Sequence, residues 1–279
     1  MSTPDLGQAA ENAYGFRRRL AFASSAIEGS GAASVLDLGC GSGAFLLAPL
    51  ARRYPDVSFT GVDSDPDSIA AARRDLKLPN VRVYLTGEWP REARHDLVIA
   101  SEVIEHVESP PEFLAQIQAS LAPRGRLLLT LPNGYGAAEL AGFAQSLLTV
   151  TGALPALRAI KRSVVPAAPR EGPRDSYAVS PHVNFFSHGA IRRLLREAGF
   201  TVVGFQPRSL LCGFVWDPLV RGERIVEWNQ RAVDRLPPAF AADWMFLLEP
   251  GGAASPRPYS RGAFSRLRRR LNEMAAGIA

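Results

Sequence analysis

Apolar positions along the chain follow two alternating rhythms. Short, nearly continuous apolar runs stand at residues 35–38, 57–62, 81–85, 96–100 and 127–131. Runs of that length between turn residues read as strands, the fourth nearly all apolar as in a strand buried on both faces. Between them apolar residues recur at three- and four-residue spacing. In residues 8–28 the stripe is Ala13, Phe16, Leu20, Ala23 and Ile27, with Arg17, Arg18 and Arg19 among them, and this predicts a helix. Gly29, Ser30 and Gly31 end it. Helices are also predicted over 66–77, where Pro66 suits a first turn, and over 110–121, with a turn at 123–125. Five strands alternating with helices predict a parallel, doubly wound sheet.

The rhythm breaks at residue 133. Residues 140–157 are uncharged, yet Gly142, Gln145, Ser146, Thr149, Thr151, Gly152 and Pro155 interrupt them too often for a membrane span. A lid or interfacial helix pair is predicted there, followed by a linker carrying Pro166, Pro169 and Pro173. Regular structure resumes at 183–186. Ser187 is a suitable N-cap for a helix to residue 198, which Gly199 closes. A strand at 200–205, a helix over 217–236 and a last strand at 244–248 complete the body. The chain thus divides into an N-terminal helix (1–30), a ligand-binding core (31–132), a lid (133–182), the rest of the sheet (183–250) and a tail (251–279).

Composition adds bounds. The 279 residues are 47% hydrophobic and 21% charged, as in a globular chain. The net charge of +5 belongs to the tail, where six arginines from Arg257 to Arg270 face only Glu273. A neutral body argues against a nucleic-acid groove across it. Two cysteines, Cys40 and Cys212, make no disulfide framework, and the N-terminus has no signal-peptide pattern, so a cytoplasmic setting is expected.

The stretch that organises the rest is residues 35–43, Val-Leu-Asp-Leu-Gly-Cys-Gly-Ser-Gly. An apolar run ending in an acid and three alternate glycines reads as a strand turning into a helix around a ligand. Side chains there would hold the ligand off the backbone, and the helix from Ala44 would present free N–H groups. Gly39, Gly41 and Ala44, with Asp63 about twenty residues on, formally meet a dinucleotide fingerprint. S-adenosylmethionine (SAM) is the other ligand. Asp37 would meet a methionine ammonium but would repel a pyrophosphate. After the fourth strand comes Ser101-Glu-Val-Ile-Glu-His-Val107. Loop, acid and this string in that order resemble class I SAM-dependent methyltransferases, especially the ubiquinone-biosynthesis O-methyltransferase type. The segment from Pro181-His182-Val-Asn-Phe-Phe-Ser187 to Arg196-Glu-Ala-Gly-Phe200 is also similar to that family. The resemblance covers residues 31–131 closely and 183–249 loosely.

It implies a seven-stranded, mostly parallel Rossmann-like α/β sheet with an antiparallel last strand, a helical lid insert and a C-terminal basic helix. It also implies SAM held by Asp37, Gly39, Gly41, Gly43, Asp63 at the ribose, Glu88 at the adenine and Ser101 at the methionine moiety. Asp63 also reads as a turn acid, and Glu88 as a surface-turn acid. Glu102, Glu105 and His106 have i, i+3, i+4 spacing, which would put them on one helical face. Relatives of the ubiquinone type associate a divalent cation with such a set, although no metal ligand is assigned here. His182 and His106 are the candidate catalytic residues, a general base near neutral pH being useful for a hydroxyl acceptor. His95 reads as lying at the wrong edge of the sheet and His188 as ordinary surface.

No Asn-Pro-Pro-aromatic string, Cys-x-x-Cys pair, Walker loop or Gly-x-Ser-x-Gly elbow is present. The function expected is methyl transfer from SAM to a small or lipophilic acceptor, through oxygen. The competing readings are an NAD-type oxidoreductase and a membrane-surface binding protein with a vestigial domain. The expected partner is a small-molecule acceptor and not nucleic acid. Phe264, Leu267, Leu271 and Met274 recur at helical spacing among Arg266, Arg268, Arg269 and Arg270, which would suit peripheral contact with an anionic membrane. The alternative packs that apolar stripe on the domain and leaves the arginines solvated.

Overall fold

The computed structural model describes residues 13–152, 182–212, 220, 223–252 and 259–275. In chain order the elements are α1 (Ala13–Ser30), β1 (Ser34–Leu38), α2 (Leu47–Arg53), β2 (Ser58–Asp63), α3 (Pro66–Asp75), β3 (Val81–Leu85) and β4 (His95–Ser101). There follow α4 (Pro110–Ser120), β5 (Leu121–Pro132), α5 (Ala137–Val150), α6 (His188–Glu197), β6 (Phe200–Pro207), α7 (Glu223–Arg235), β7 (Asp243–Pro250) and α8 (Ala263–Ala275). The sheet has seven strands in the order β3-β2-β1-β4-β5-β7-β6. Strands β1 to β5 pair in parallel, and β7 runs antiparallel to both β5 and β6. The antiparallel last strand is therefore as expected.

Strand period explains the two-sided core. Leu36, Val98, Ala100 and Leu129 point to one face, where they meet Leu114 and Ile117 of α4 and Ile191 and Leu195 of α6. Their neighbours Val35, Leu97, Ile99 and Leu128 point to the other, against Ala23 and Ile27 of α1 and Leu47 and Leu50 of α2. All eight strand residues are fully buried, and each except the small Ala100 is worth about 1.5–3 kcal/mol of transfer energy. The parallel strands bring their carboxyl ends to one edge, and the order reverses between β1 and β4. That edge is where α/β sheets of this kind hold ligands.

Several expectations need correcting. The helix after the glycine loop starts at Leu47, with residues 41–46 forming turns. β5 begins at Leu121 and takes in the expected turn, because Gly125 packs on the start of β4: an added Cβ would lie 2.7 Å from the carbonyl oxygen of His95. Residues 102–106 are a turn and not a helix, so Glu102, Glu105 and His106 share no helical face. His188 is no ordinary surface residue, since its ring packs against Phe205, Trp244 and Phe246. The proline linker lies outside the described residues, as does part of the helix expected over 217–236. Among the described residues no helix is long and apolar enough to cross a membrane.

Candidate functional site

The glycine loop leaves β1 in a conformation that only glycine adopts readily. Gly39, Gly41 and Gly43 have φ of +77°, +56° and +74°. A Cβ on Gly39 would stand 2.4 Å from Val103 Cγ2, and one on Gly43 2.5 Å from Leu76 Cδ1. The N–H groups of Gly39 and Cys40 donate to the Val62 carbonyl. Asp63, the last residue of β2, completes the anchorage. Its Oδ2 accepts from Gly41 N at 2.7 Å and its Oδ1 from Asp65 N at 2.9 Å. A carboxylate has about four acceptor positions, so Asp63 holds the loop and keeps capacity for a ligand.

Beside the loop, Asp37 is buried, and burial pushes its carboxyl up to about 7 against the opposing pull of the Arg19 charge. Arg19 comes from α1 and donates to Ser101 Oγ at 2.8 Å. Ser101 Oγ lies 2.9 Å from Thr130 Oγ1, which donates to Glu102 Oε1 at 2.7 Å. Arg19 escaped the sequence reading because it sits in a run of three arginines. The available signal was helical phase: it is i+3 from Phe16 and i−4 from Ala23, both buried. An acid and a guanidinium at the ends of β1 and β4 match an amino-acid zwitterion, the carboxylate for its ammonium and the guanidinium for its carboxylate. The donor set therefore fits the methionine end of SAM. The Cys40 thiol is pushed far up by burial, which leaves it unreactive. Glu88 stands apart on the surface turn after β3, its carboxylate half exposed and 2.5 Å from Arg73 Nη2.

On the other side of β4 the turn 102–107 carries the second group of side chains. Glu102 takes a left-handed φ of +57°. Its carboxylate accepts from Thr130 and from Arg208 Nη1 at 3.2 Å. Arg208 in turn grips Asp243. Glu105 turns the opposite way, into the protein. It is 1% exposed, and among the described residues neither carboxylate oxygen has a hydrogen-bond partner. Burial, reinforced by the charge of Glu102, pushes its carboxyl well above the usual range.

His182 reaches this turn because residues 183 and 184 are strapped across it. The N–H groups of Val183 and Asn184 both donate to the Glu105 carbonyl at 2.9 Å, and Asn184 Nδ2 donates to the carbonyls of Ile104 and Val107. The His106 and His182 rings meet edge to face with centroids 4.8 Å apart. Glu105, His106 and His182 each offer a ligand atom, all within 4.8 Å of one another. A carboxylate and two imidazoles are donors a divalent transition metal accepts. Glu102, engaged with Arg208, stands outside this trio, so the grouping differs from the one the family resemblance implied.

Glu139 on α5 closes the cluster from above. Its Oε1 lies 2.7 Å from His182 Nδ1. Burial opposes charge on the imidazole, but the Glu139 carboxylate, with Glu105 and Glu102, overcomes it and raises His182 to about 9. The reverse effect keeps Glu139 ionised despite its burial. Arg268 of α8 holds the other oxygen of Glu139 at 2.8 Å, donates to the Gly134 and Glu139 carbonyls, and stacks 3.7 Å above the Phe185 ring. Glu139 and Arg268 were not among the candidates read from sequence. Glu139 is the lone charge in an apolar segment, and that was the signal available.

Comparison with known proteins agrees with the fold. The sequence model of the Methyltransferase domain family (Methyltransf_23) matches residues 9–204. A ubiquinone biosynthesis O-methyltransferase from Azorhizobium caulinodans is 31% identical over 194 residues, covering 68% of this chain and 64% of that protein. A trans-aconitate 2-methyltransferase from Variovorax paradoxus is 33% identical over 105 residues, 37% of this chain and 39% of its own length. Both matches span less than two thirds of the relative. Among solved structures, the plantazolicin methyltransferase BpumL in complex with a pentazolic desmethylPZN analog and SAH superposes with a TM-score of 0.50 at 17% identity, over 85% of each chain. With the domain model matched across more than half its residues, the chain belongs to the methyltransferase-domain family.

Proposed function

We propose that this methyltransferase acts on an oxygen nucleophile of a small, lipophilic acceptor, seated over the Glu105–His106–His182 cluster. SAM, when bound, supplies a methyl group already activated by its sulfonium. The protein then has two tasks, alignment and proton management. Asp37, Asp63 and Ser101, at the β1, β2 and β4 ends of the crevice, hold the cofactor together with Arg19 of α1. Val103 and Glu102 connect that half directly to the histidines. Glu139 fixes the His182 ring through Nδ1, which leaves Nε2 to receive the acceptor's hydroxyl proton. His106 packs edge-on to that ring and borders the same space. The observation that carries this reading is the Glu139–His182 pair beside a buried, hydrogen-bond-deficient Glu105. The apolar character of α5, above the cluster, supports a lipophilic acceptor.

A hydroxylated and an amine-bearing acceptor library, each incubated with SAM and read by mass spectrometry for one added methyl, test the assignment. Methylation confined to amines would overturn it. On an acceptor found in this way, His182→Ala should lower kcat by about 10²-fold or more with SAM affinity little changed. Because His182 is a cation at neutral pH, a base role requires kcat to rise with pH toward a limit near 9. A profile that falls over the same range would instead mean that the imidazolium holds an anionic acceptor oxygen.

A further inference from the structure

The tail helix packs in the opposite sense to its amphipathic pattern. α8 buries Ser265 and Arg268 and leaves Phe264, Leu267 and Met274 exposed, Leu267 and Met274 by 51% and 52%. The buried side explains why. Arg268 answers Glu139, Ser146 Oγ of α5 lies 2.9 Å from Asn272 Oδ1, and Arg269 binds Glu108 and Glu273. The two helices therefore meet through polar groups, α5 along Glu139 and Ser146 and α8 along Arg268 and Asn272.

Both helices place their apolar stripes beside that contact, on the same outer side. On α5 the stripe is Leu140, Phe143, Leu147 and Val150, and on α8 it is Phe264, Leu267, Leu271 and Met274. Each has i, i+3, i+7, i+10 spacing, which lines one helical face. Phe143 and Phe264 join the two, with ring centroids 5.6 Å apart, and Tyr135 stacks on Phe264 at 6.0 Å. Seven of the twelve exposed large hydrophobic side chains among the described residues are on this one surface. A patch of that kind marks an interaction site.

Its rim is basic. Arg266 and Arg270 are exposed along the edge of the α8 stripe, and with Arg261, Arg269 and the single acid Glu273 they line a concavity of about 280 Å³. The acids nearby, Glu108 and Glu273, are already engaged by arginines. A second copy of this chain would bring like charges together across the contact, whereas an anionic bilayer complements both the stripes and the rim.

We infer that α5 and α8 together form a membrane-docking surface that seats the protein on anionic lipid. This goes beyond the proposed reaction and does not depend on the acceptor's identity. The apolar stripes enter the headgroup region, and Arg266 and Arg270 meet lipid phosphates. Docking there sets the roof of the crevice, which Glu139 and Arg268 complete from below, against the bilayer.

Co-sedimentation of the full chain with vesicles tests the inference, comparing pure phosphatidylcholine with phosphatidylcholine carrying about a third phosphatidylglycerol. Binding should require the anionic lipid and decline with salt. Arg266→Gln with Arg270→Gln should weaken it about tenfold or more, and Leu147→Asp with Leu267→Asp should abolish it. SAM affinity measured on the same variants should equal the parent's, which shows the fold intact and separates this result from the reading of the site. An intact protein that stays in the supernatant with both vesicle types overturns the inference. So does vesicle binding that the variants leave unchanged. A dimer in sedimentation velocity that the two Leu→Asp changes dissociate would overturn it as well, by giving the face to a second copy.

Discussion

Glu139 of α5 and His182 form an imidazole–carboxylate pair, Oε1 2.7 Å from Nδ1, and Arg268 of α8 closes on the other oxygen of the same carboxylate at 2.8 Å. The tail of the chain thereby fixes the charge of a residue at the centre of the crevice. Replacing Glu139 by Gln removes the largest force raising the imidazole. The His182 titration followed by NMR should move down from about 9 by about one unit or more. The sign of the linked stability follows. A raised imidazole pKa stabilises the fold fully below the ordinary histidine value, and that stability is lost as pH rises through about 9. The Tm gap between parent and Glu139→Gln should thus be widest just below the ordinary histidine value of 6.5 and narrow as pH rises through about 9. A gap independent of pH in that range would show that the pair contributes nothing through its charge.

Arg19 is expected to bind the carboxylate end of SAM. Arg19→Ala should weaken SAM by about 1.5–3 kcal/mol, the range for a charged hydrogen bond. Arg19→Lys, which keeps charge and loses the planar fork, should fall between. Calorimetric titration measures both, and parent-like affinity in the alanine variant would reject the assignment.

Asp63 anchors the loop, and its proposed second role at the ligand should show in the affinity of its variants. Asp63→Ala frees the N–H groups of Gly41 and Asp65 and should weaken SAM by at least about 1.5–3 kcal/mol. Asp63→Asn retains one acceptor oxygen and should recover part of that loss. Equal affinity in all three proteins would remove Asp63 from the cofactor site.

Arg208 tests the scaffold away from the ligand. Its guanidinium is 5% exposed and holds Asp243, equally buried, together with Glu102. Arg208→Met leaves two carboxylates without their counter-ion and should destabilise the fold by about 3–5 kcal/mol in urea unfolding. A loss under about 1 kcal/mol would mean that water or rearrangement compensates the acids.

Local pattern was enough for the sheet. An apolar run with period two and a helical stripe with period 3.6 each report on their own backbone, so the strands, the Ser187 cap and the glycine loop were legible in the sequence. The Gly-x-Gly-x-Gly spacing also specified chemistry, because left-handed φ at alternate residues leaves few other residue types. The second half of the site was decided by tertiary structure. Glu102 and Glu105 look equivalent in the sequence, yet the left-handed turn at Glu102 sends one to Arg208 and buries the other. His182 joins His106 only because Asn184 ties its segment to the Ile104 and Val107 carbonyls. The tail shows the same division. Its helical period was readable, but its orientation depended on Glu139, more than a hundred residues away. A buried carboxylate needs a counter-charge more than an exposed leucine needs cover, and that balance placed Arg268 inside and Leu267 outside.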